Sequence, residues 1–313
     1  MKTLKSLYQK NTNIMKHLRD ANNSEENDST AILYSYDLQS GAYRHCYYHA
    51  THNRAHFNNQ PITIPFQEFY QRYGEKIAEV LDRLGYDSIL EVGTGEAVTL
   101  ANVVRKLAKP NVVIRGIDIS YSRIGYGNIF LAEQGITGDV NLGVGNMFEL
   151  PFEDNSFDIV FTSHCIEPNT KRAQEAITEL YRVARRTLVL IEPSYVLGNE
   201  ATKKHMLENA YCIDLYDTII KMELNVTEHR LFEIGTYNNQ AALIVITKDI
   251  DMEIPQFESK PGWACPVCKT PLLKEDGHYF CGECFLIFPV IKNIPCLLRE
   301  NGILGSKFPE FKS

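Results

Sequence analysis

Between residues 62 and 193 short apolar runs alternate with helix-length amphipathic segments, and that alternation leaves few folds open. Residues 66–84 (FQEFYQRYGEKIAEVLDRL) have helical spacing and stop at Gly85. The run SILEV (88–92) then leads into Gly93-Thr94-Gly95, with a helix expected through Leu107. VVIRGID (112–118), a helix near 121–135, VNLGVG (140–145), FDIVFTS (157–163), a helix near 171–185 and TLVLIEP (187–193) follow. Strands separated by helices predict a parallel sheet covered on both faces. Two further runs, about 225–234 and 241–247, are joined by Gly235–Gln240 and predict an antiparallel hairpin closing the sheet. The expected class is α/β, with a doubly wound, mostly parallel, seven-stranded sheet.

The flanks obey different rules. Residues 1–60 read as an irregular N-terminal extension, with a polar stretch at 21–30 and an aromatic, histidine-rich stretch at 43–57. That stretch reads as a lid over an acceptor site, in preference to a metal site made of His45, His49, His52 and His56. Residues 61–250 form the main domain, 251–261 an interdomain linker and 262–313 a small cysteine-bearing domain. Lys and Arg number 32 against 39 Asp and Glu, for a net charge of -7. That sign counts against nucleic acid as the main partner. No run is long and apolar enough for a membrane span, and the first residues lack the pattern of a secretory leader. A cytoplasmic location is expected.

The glycines after SILEV let backbone pass close to a ligand. Asp118 ends the next strand, where a carboxylate can accept from both hydroxyls of a ribose. Glu91 precedes the turn, where it can meet an ammonium group. A dinucleotide site would need a third glycine where Val98 stands, and a phosphate loop would need Lys-Ser or Lys-Thr. A carboxylate at the mouth of the turn would also repel a pyrophosphate. A ligand with a ribose and a positive or zwitterionic part fits, and S-adenosylmethionine has both.

These residues resemble the core of the class I S-adenosylmethionine-dependent methyltransferases. The matching segments are ILEVGTGEA (89–97), VIRGIDIS (113–120), VGNMFELPFEDNSFDIVFTSH (144–164) and LVLIEP (188–193), and the likeness covers roughly 65–250. The resemblance implies that Glu91, Gly93, Thr94 and Gly95 surround the methionyl part of the cofactor. It implies that Asp118 holds the ribose, with Ile119 and Met147 against the adenine and Asn146 facing its amino group. It places Thr162 and Ser163 under the sulfonium. Ala97 stands where the family often has glycine, and Asn146 where it usually has aspartate. An amide there must turn its oxygen toward the adenine amine.

Cys265-Pro-Val-Cys268 and Cys281-Gly-Glu-Cys284 are separated by twelve residues. Two such knuckles complete a tetrahedral zinc site with no open position, which makes it structural. Residues 265–298 resemble the small zinc ribbon that activates several tRNA and protein methyltransferases. Cys296 reads as core.

Methyl transfer from a sulfonium needs an acceptor held in line, and a base where the acceptor arrives protonated. The candidates at the carboxyl edge of the sheet are His164, Glu167 and Glu192. Tyr43, Tyr47, Tyr48, His164, Tyr195 and His205 are the expected acceptor-binding residues, with the three N-terminal tyrosines near the transferred methyl. The first reading is a methyltransferase acting on oxygen or nitrogen of a small biosynthetic molecule, with homodimerisation left open. The alternatives are an RNA or protein methyltransferase that uses the ribbon for contact, and a non-catalytic binding protein of the same fold.

Overall fold

The computed structural model describes residues 4–136, 138, 140–248 and 261–311. Most of the expected linker, 251–261, lies outside the described residues. The seven-stranded sheet is present. It is built from β3 (Ser88–Val92), β4 (Val113–Asp118), β5 (Val140–Val144), β6 (Phe157–Ser163), β7 (Ala184–Pro193), β8 (Val226–Leu231) and β10 (Ala241–Thr247). Their order is β5-β4-β3-β6-β7-β10-β8, with β10 antiparallel to both of its neighbours. Strands β3 to β7 are parallel, and the chain reverses its direction of travel across the sheet between β3 and β6. That switch opens a crevice beyond the carboxyl ends of β3 and β6, the position where sheets of this kind bind ligands.

Alternation along the buried strands explains the two layers. Ile89, Ile159, Phe161, Val189, Ile191, Leu243 and Val245 join a core on one face. That core is shared with α5 (Phe66–Leu84), α6 (Val98–Val104) and α7 (Tyr121–Glu133). Leu90, Val160, Leu188, Leu190, Ile244 and Ile246 join the other core, under α8 (Ala173–Val183) and α10 (Leu215–Lys221). Successive side chains of a strand point to opposite faces, so fully apolar runs are what a doubly covered sheet requires.

Residues 4–60 are not irregular. They form α1 (Leu4–Tyr8), α2 (Ile14–Ala21), α3 (Ser29–Leu38), α4 (Ala42–His49) and β1 (Asn53–Phe57). β1 pairs with β2 (Gln60–Ile64) and with β9 (Ile234–Thr236) in a separate three-stranded sheet. The closing hairpin is therefore shorter than expected, because the chain after Leu231 leaves the main sheet to meet β1. The extension is also not one unit. Met15, Ala31 and Ile32 form a satellite cluster, whereas Tyr47 and Ala55 belong to the main core. His56 is buried in β1, and the rings of His45 and His49 meet at a tilt, 4.6 Å between centroids. Among the described residues these histidines form no metal-binding group.

The C-terminal region forms β11 (Leu273–Glu275), β12 (His278–Phe280), β13 (Leu286–Phe288), β14 (Val290–Ile291), β15 (Ile294–Pro295) and β16 (Ile303–Leu304). It packs against the β5 edge of the main sheet: Cys296 bridges Val144, and the Leu297 amide donates to the Val144 carbonyl at 2.8 Å.

Helices α5 and α6 approach so closely that a Cβ on Gly74 would lie 2.6 Å from the Asn102 carbonyl carbon. Backbone has nowhere to go here. Gly74→Ala should cost about 1–3 kcal/mol, as overpacking does, read as a lower urea midpoint with an unchanged slope.

Candidate functional site

The crevice at the switch point depends on how the chain leaves β3 and β6. Gly93 has φ +79°, and a Cβ there would stand 2.3 Å from the Cys165 sulfur. Its amide donates to the Ile117 carbonyl at 2.7 Å, which ties the turn to β4. Across the crevice, His164 takes φ +54°, a left-handed conformation that is uncommon for residues other than glycine. The next two amides, of Cys165 and Ile166, donate to the Glu192 carboxylate at 3.0–3.1 Å. Glu192 thus fixes the loop that presents His164. Ala97 also has φ +54°, at the start of α6. It occupies the backbone region for which glycine is the usual choice.

Two cavities meet at this point. A narrow slot is lined by Ile117, Asp118, Ile119, Asn146, Met147 and Gly93. Asp118 accepts the amides of Gly95 at 3.0 Å and Ser120 at 2.8 Å. Burial raises its pKa, against the pull of Arg123 and the two amides. The Asn146 side-chain oxygen accepts the Phe148 amide at 3.2 Å. The loop itself therefore takes up the oxygen that was expected to turn toward an adenine.

The second cavity has a volume of about 640 Å³. Gly93, Thr94 and Gly95 form part of its floor, and residues of α1 to α4 roof it. His164 lines both cavities. Its Nδ1 lies 3.2 Å from Glu167 Oε2, and Asn239 Nδ2 donates to the same oxygen at 3.1 Å. With Nδ1 donating to the carboxylate, Nε2 keeps the lone pair. Burial works against a charged ring here, but the bond to Glu167 and the charges of Glu167 and Glu192 outweigh it. The His164 pKa is raised. Tyr211 lines the same cavity as Tyr36 and Glu167, and burial raises its pKa, with the charge of Glu167 adding to the shift. Tyr73 meets Ser163 at 2.9 Å.

The expected site residues divide into those at the cavities and those behind them. Gly93, Thr94, Gly95, Asp118, Ile119, Asn146, Met147, Ser163, His164, Glu167, Tyr43 and His205 line the cavities. Glu91 and Glu192 do not: both are buried beneath the floor, where Glu91 accepts the Thr94 hydroxyl at 2.6 Å. Thr162 is likewise fully buried below the site. Tyr47 is turned into the core, its hydroxyl 3.3 Å from Asn102 Oδ1 and its ring against Phe130. Tyr48 lies on the outer side of α4, bonded to Glu133 and Gln134. Tyr43 and Tyr47 are one turn apart on the same face of α4, but Tyr47 packs into the core and only Tyr43 of the three lines the cavity. Tyr195 lines neither cavity. Sequence reasoning missed Tyr36, Tyr73, Arg123, Tyr211 and Asn239. Asn239 lies in the Gly235–Gln240 turn, which was read only as a connector. The others carry no local motif.

The four cysteines Cys265, Cys268, Cys281 and Cys284 place their sulfur atoms within 4.8 Å of one another. Cys268 and Cys281 sulfurs are 3.4 Å apart, too far for a disulfide and close to the edge of a tetrahedron of ~2.3 Å bonds. The donor set fits zinc. Cys296 is buried outside the cluster.

Comparison with known proteins agrees with this geometry. A family model described as a methyltransferase domain matches residues 89–187. Ajmaline N-methyltransferase of Rauvolfia serpentina is 31% identical over 109 residues, 35% of this chain and 36% of that protein. The ubiquinone/menaquinone biosynthesis C-methyltransferase UbiE of Vibrio campbellii is 23% identical over 176 residues, 56% of this chain and 67% of that one. The match spans only 36% of the ajmaline enzyme's own length, and 37% of that of norajmaline N-methyltransferase of the same plant, which is 28% identical over 112 residues. Among solved structures, magnesium protoporphyrin IX methyltransferase from Synechocystis PCC 6803 superposes with a TM-score of 0.54 at 11% identity. It covers 71% of this chain and 100% of that one. The [4+2]-cyclase SpnF gives the same score at 16% identity, covering 71% and 97%. The fold is one that solved methyltransferase structures share, and the match to the methyltransferase-domain model is confined to residues 89–187. No described helix is long and apolar enough to cross a membrane.

Burial also leaves a titration signature. Glu91 and Glu192 are both raised by desolvation from 4.5 to about 7, against the hydrogen bonds they accept. Between those values the folded chain holds protons that the unfolded chain has released. Stability should therefore fall as pH rises through this window. Glu192→Gln keeps an acceptor for the Cys165 and Ile166 amides and removes one titrating group. Melting curves collected from about pH 5 to pH 7 should show a shallower fall for the variant.

Proposed function

We propose that this chain is an S-adenosylmethionine-dependent methyltransferase acting on a small molecule enclosed beneath the N-terminal helices. The observation that carries the reading is the position of His164. It stands where the slot beside Asp118 opens into the roofed cavity, on a strained backbone, with its ring oriented by Glu167 and Asn239. The cofactor supplies an electrophilic methyl group on a sulfonium. Asp118 is placed to accept from its ribose, Ile119 and Met147 to flank the adenine, and the Gly93–Gly95 turn to pass under the methionyl part. The roof excludes water and holds the acceptor. His164 Nε2 takes the proton that a hydroxyl or amine acceptor gives up, and Glu167 stabilises the imidazolium that results.

The acceptor class follows from the lining. Six tyrosines and five asparagines are part of it, and Arg123 is its only lysine or arginine among the described residues. Arg123 is already engaged by the Tyr36 carbonyl and held over the rings of Tyr36 and Tyr43. Its Nη2 is buried without a hydrogen-bond partner, and it is the one lysine or arginine that an anionic group of either ligand would find there. An RNA enzyme would need an open basic cleft, and nothing in this lining favours one. The relatives named for N- and C-methylation support a small acceptor without choosing the atom.

The test has two parts. Calorimetry with S-adenosylhomocysteine should show binding by the native chain. Asp118→Ala should weaken it by about 2–4 kcal/mol, the scale of one or two charge-assisted bonds; equal affinity would sink the assignment. With a labelled methyl donor and a mixture of small phenols and amines, label should enter the low-molecular-weight fraction and not added RNA or protein. His164→Gln should lower that transfer by about 10²-fold or more while leaving homocysteine-analogue binding intact. The pH–rate profile should rise through a pKa above the ordinary histidine value, because His164 is raised, and should move lower in Glu167→Gln.

A further inference from the structure

The cysteine-bearing ribbon and the nucleoside slot share one loop. Residues 144–151 run from the end of β5 to the start of the segment before β6, and they carry Asn146 and Met147 into the slot. The ribbon holds this loop at both ends. At one end the Leu297 amide donates to the Val144 carbonyl at 2.8 Å, beside the Cys296–Val144 bridge. At the other the Ala264 amide donates to the Pro151 carbonyl at 2.8 Å, and Lys269 Nζ reaches the Leu150 carbonyl at 3.2 Å and Glu179 at 2.9 Å. Arg299 pairs with Glu149 at 3.0 Å.

The contacts at the second end belong to the first cysteine knuckle. Ala264 precedes Cys265, and Lys269 follows Cys268. Trp263, the sole tryptophan of the chain, stacks on Phe152 at 5.2 Å and closes over Gly143. The ribbon's own buried core is Cys265, Cys281, Phe288 and Leu297, two of which are cluster cysteines. So small a core depends on its metal for order.

We infer that metal binding at Cys265, Cys268, Cys281 and Cys284 sets the affinity of the slot for its nucleoside ligand, through the loop 144–151 that the ribbon clamps. The ligand's identity rests on the methyltransferase reading; the clamp does not. Because coupling between two sites is reciprocal, the nucleoside ligand must tighten metal binding by the same factor.

The full chain is compared with Zn²⁺ bound and after stripping by a chelator. Three readouts are taken: Trp263 emission, hydrogen exchange of residues 144–151, and calorimetric affinity for S-adenosylhomocysteine. Stripping should shift the emission to the red and speed exchange in the loop. It should weaken the homocysteine analogue about tenfold, within the usual range of coupled sites. Saturating analogue should raise Zn²⁺ affinity by the same factor. A second arm keeps the metal: Lys269→Ala with Arg299→Ala should retain one zinc per chain, yet show faster loop exchange and weaker analogue binding. An unchanged emission on stripping would mean the ribbon does not need its metal, and would overturn the inference. So would a red shift with loop exchange and analogue affinity both unaltered, or a double variant that behaves as the native chain. If no form binds the analogue, the methyltransferase reading fails, and loop exchange alone decides the clamp.

Discussion

The contact on which the site depends is the one between Gly93 and Cys165. The two loops that flank the switch point approach so closely that a single Cβ would collide with the sulfur. Because of that approach the segment after β6 folds back under the crevice. There its amides find the Glu192 carboxylate, and His164 is left in a left-handed conformation at the junction of two cavities. A buried carboxylate that accepts two backbone amides costs desolvation, seen in its raised pKa. The structure spends that cost on the direction of one histidine, as strained or desolvated groups at functional sites commonly do. The Gly93 turn, the β6 loop and Glu192 therefore act as a unit. None of the three would hold its conformation without the other two.

The same logic separates residues that bear on a ligand from those that bear on the floor beneath it. Glu91, expected at the methionyl part of a cofactor, and Glu192, expected as a base, both lie under the crevice, satisfied by Thr94 and by backbone. Glu167 is different: it faces the cavity and shares one oxygen between His164 and Asn239. A carboxylate that orients an imidazole needs to be held itself, and the asparagine does that.

The central sheet was readable because its information is local and periodic. Strands such as Phe157–Ser163 and the helix Phe66–Leu84 have the bounds that the pattern predicts. The roof was not readable. Its helices are short, α2 and α3 close over a cluster of only a few apolar residues, and of the three tyrosines on α4 only Tyr43 lines the cavity. Of the polar partners of His164, Glu167 is 3 residues away and Asn239 is 75 away, in a turn whose sequence looks like any connector. The docking of the ribbon rests largely on backbone amides and carbonyls, such as Ala264 with Pro151 and Leu297 with Val144. Main-chain bonds leave no residue signature.

The ribbon's position has a consequence for solubility. β5 is the outermost strand of the main sheet, and such a strand offers unpaired amides and carbonyls to any extended chain that meets it. Here the Cys296–Leu297 segment lies against the end of that strand and uses part of its hydrogen-bonding capacity. The four thiolates thus also guard a sheet edge. A chain whose ribbon had not yet closed would leave that end of β5 open as a template for strand pairing.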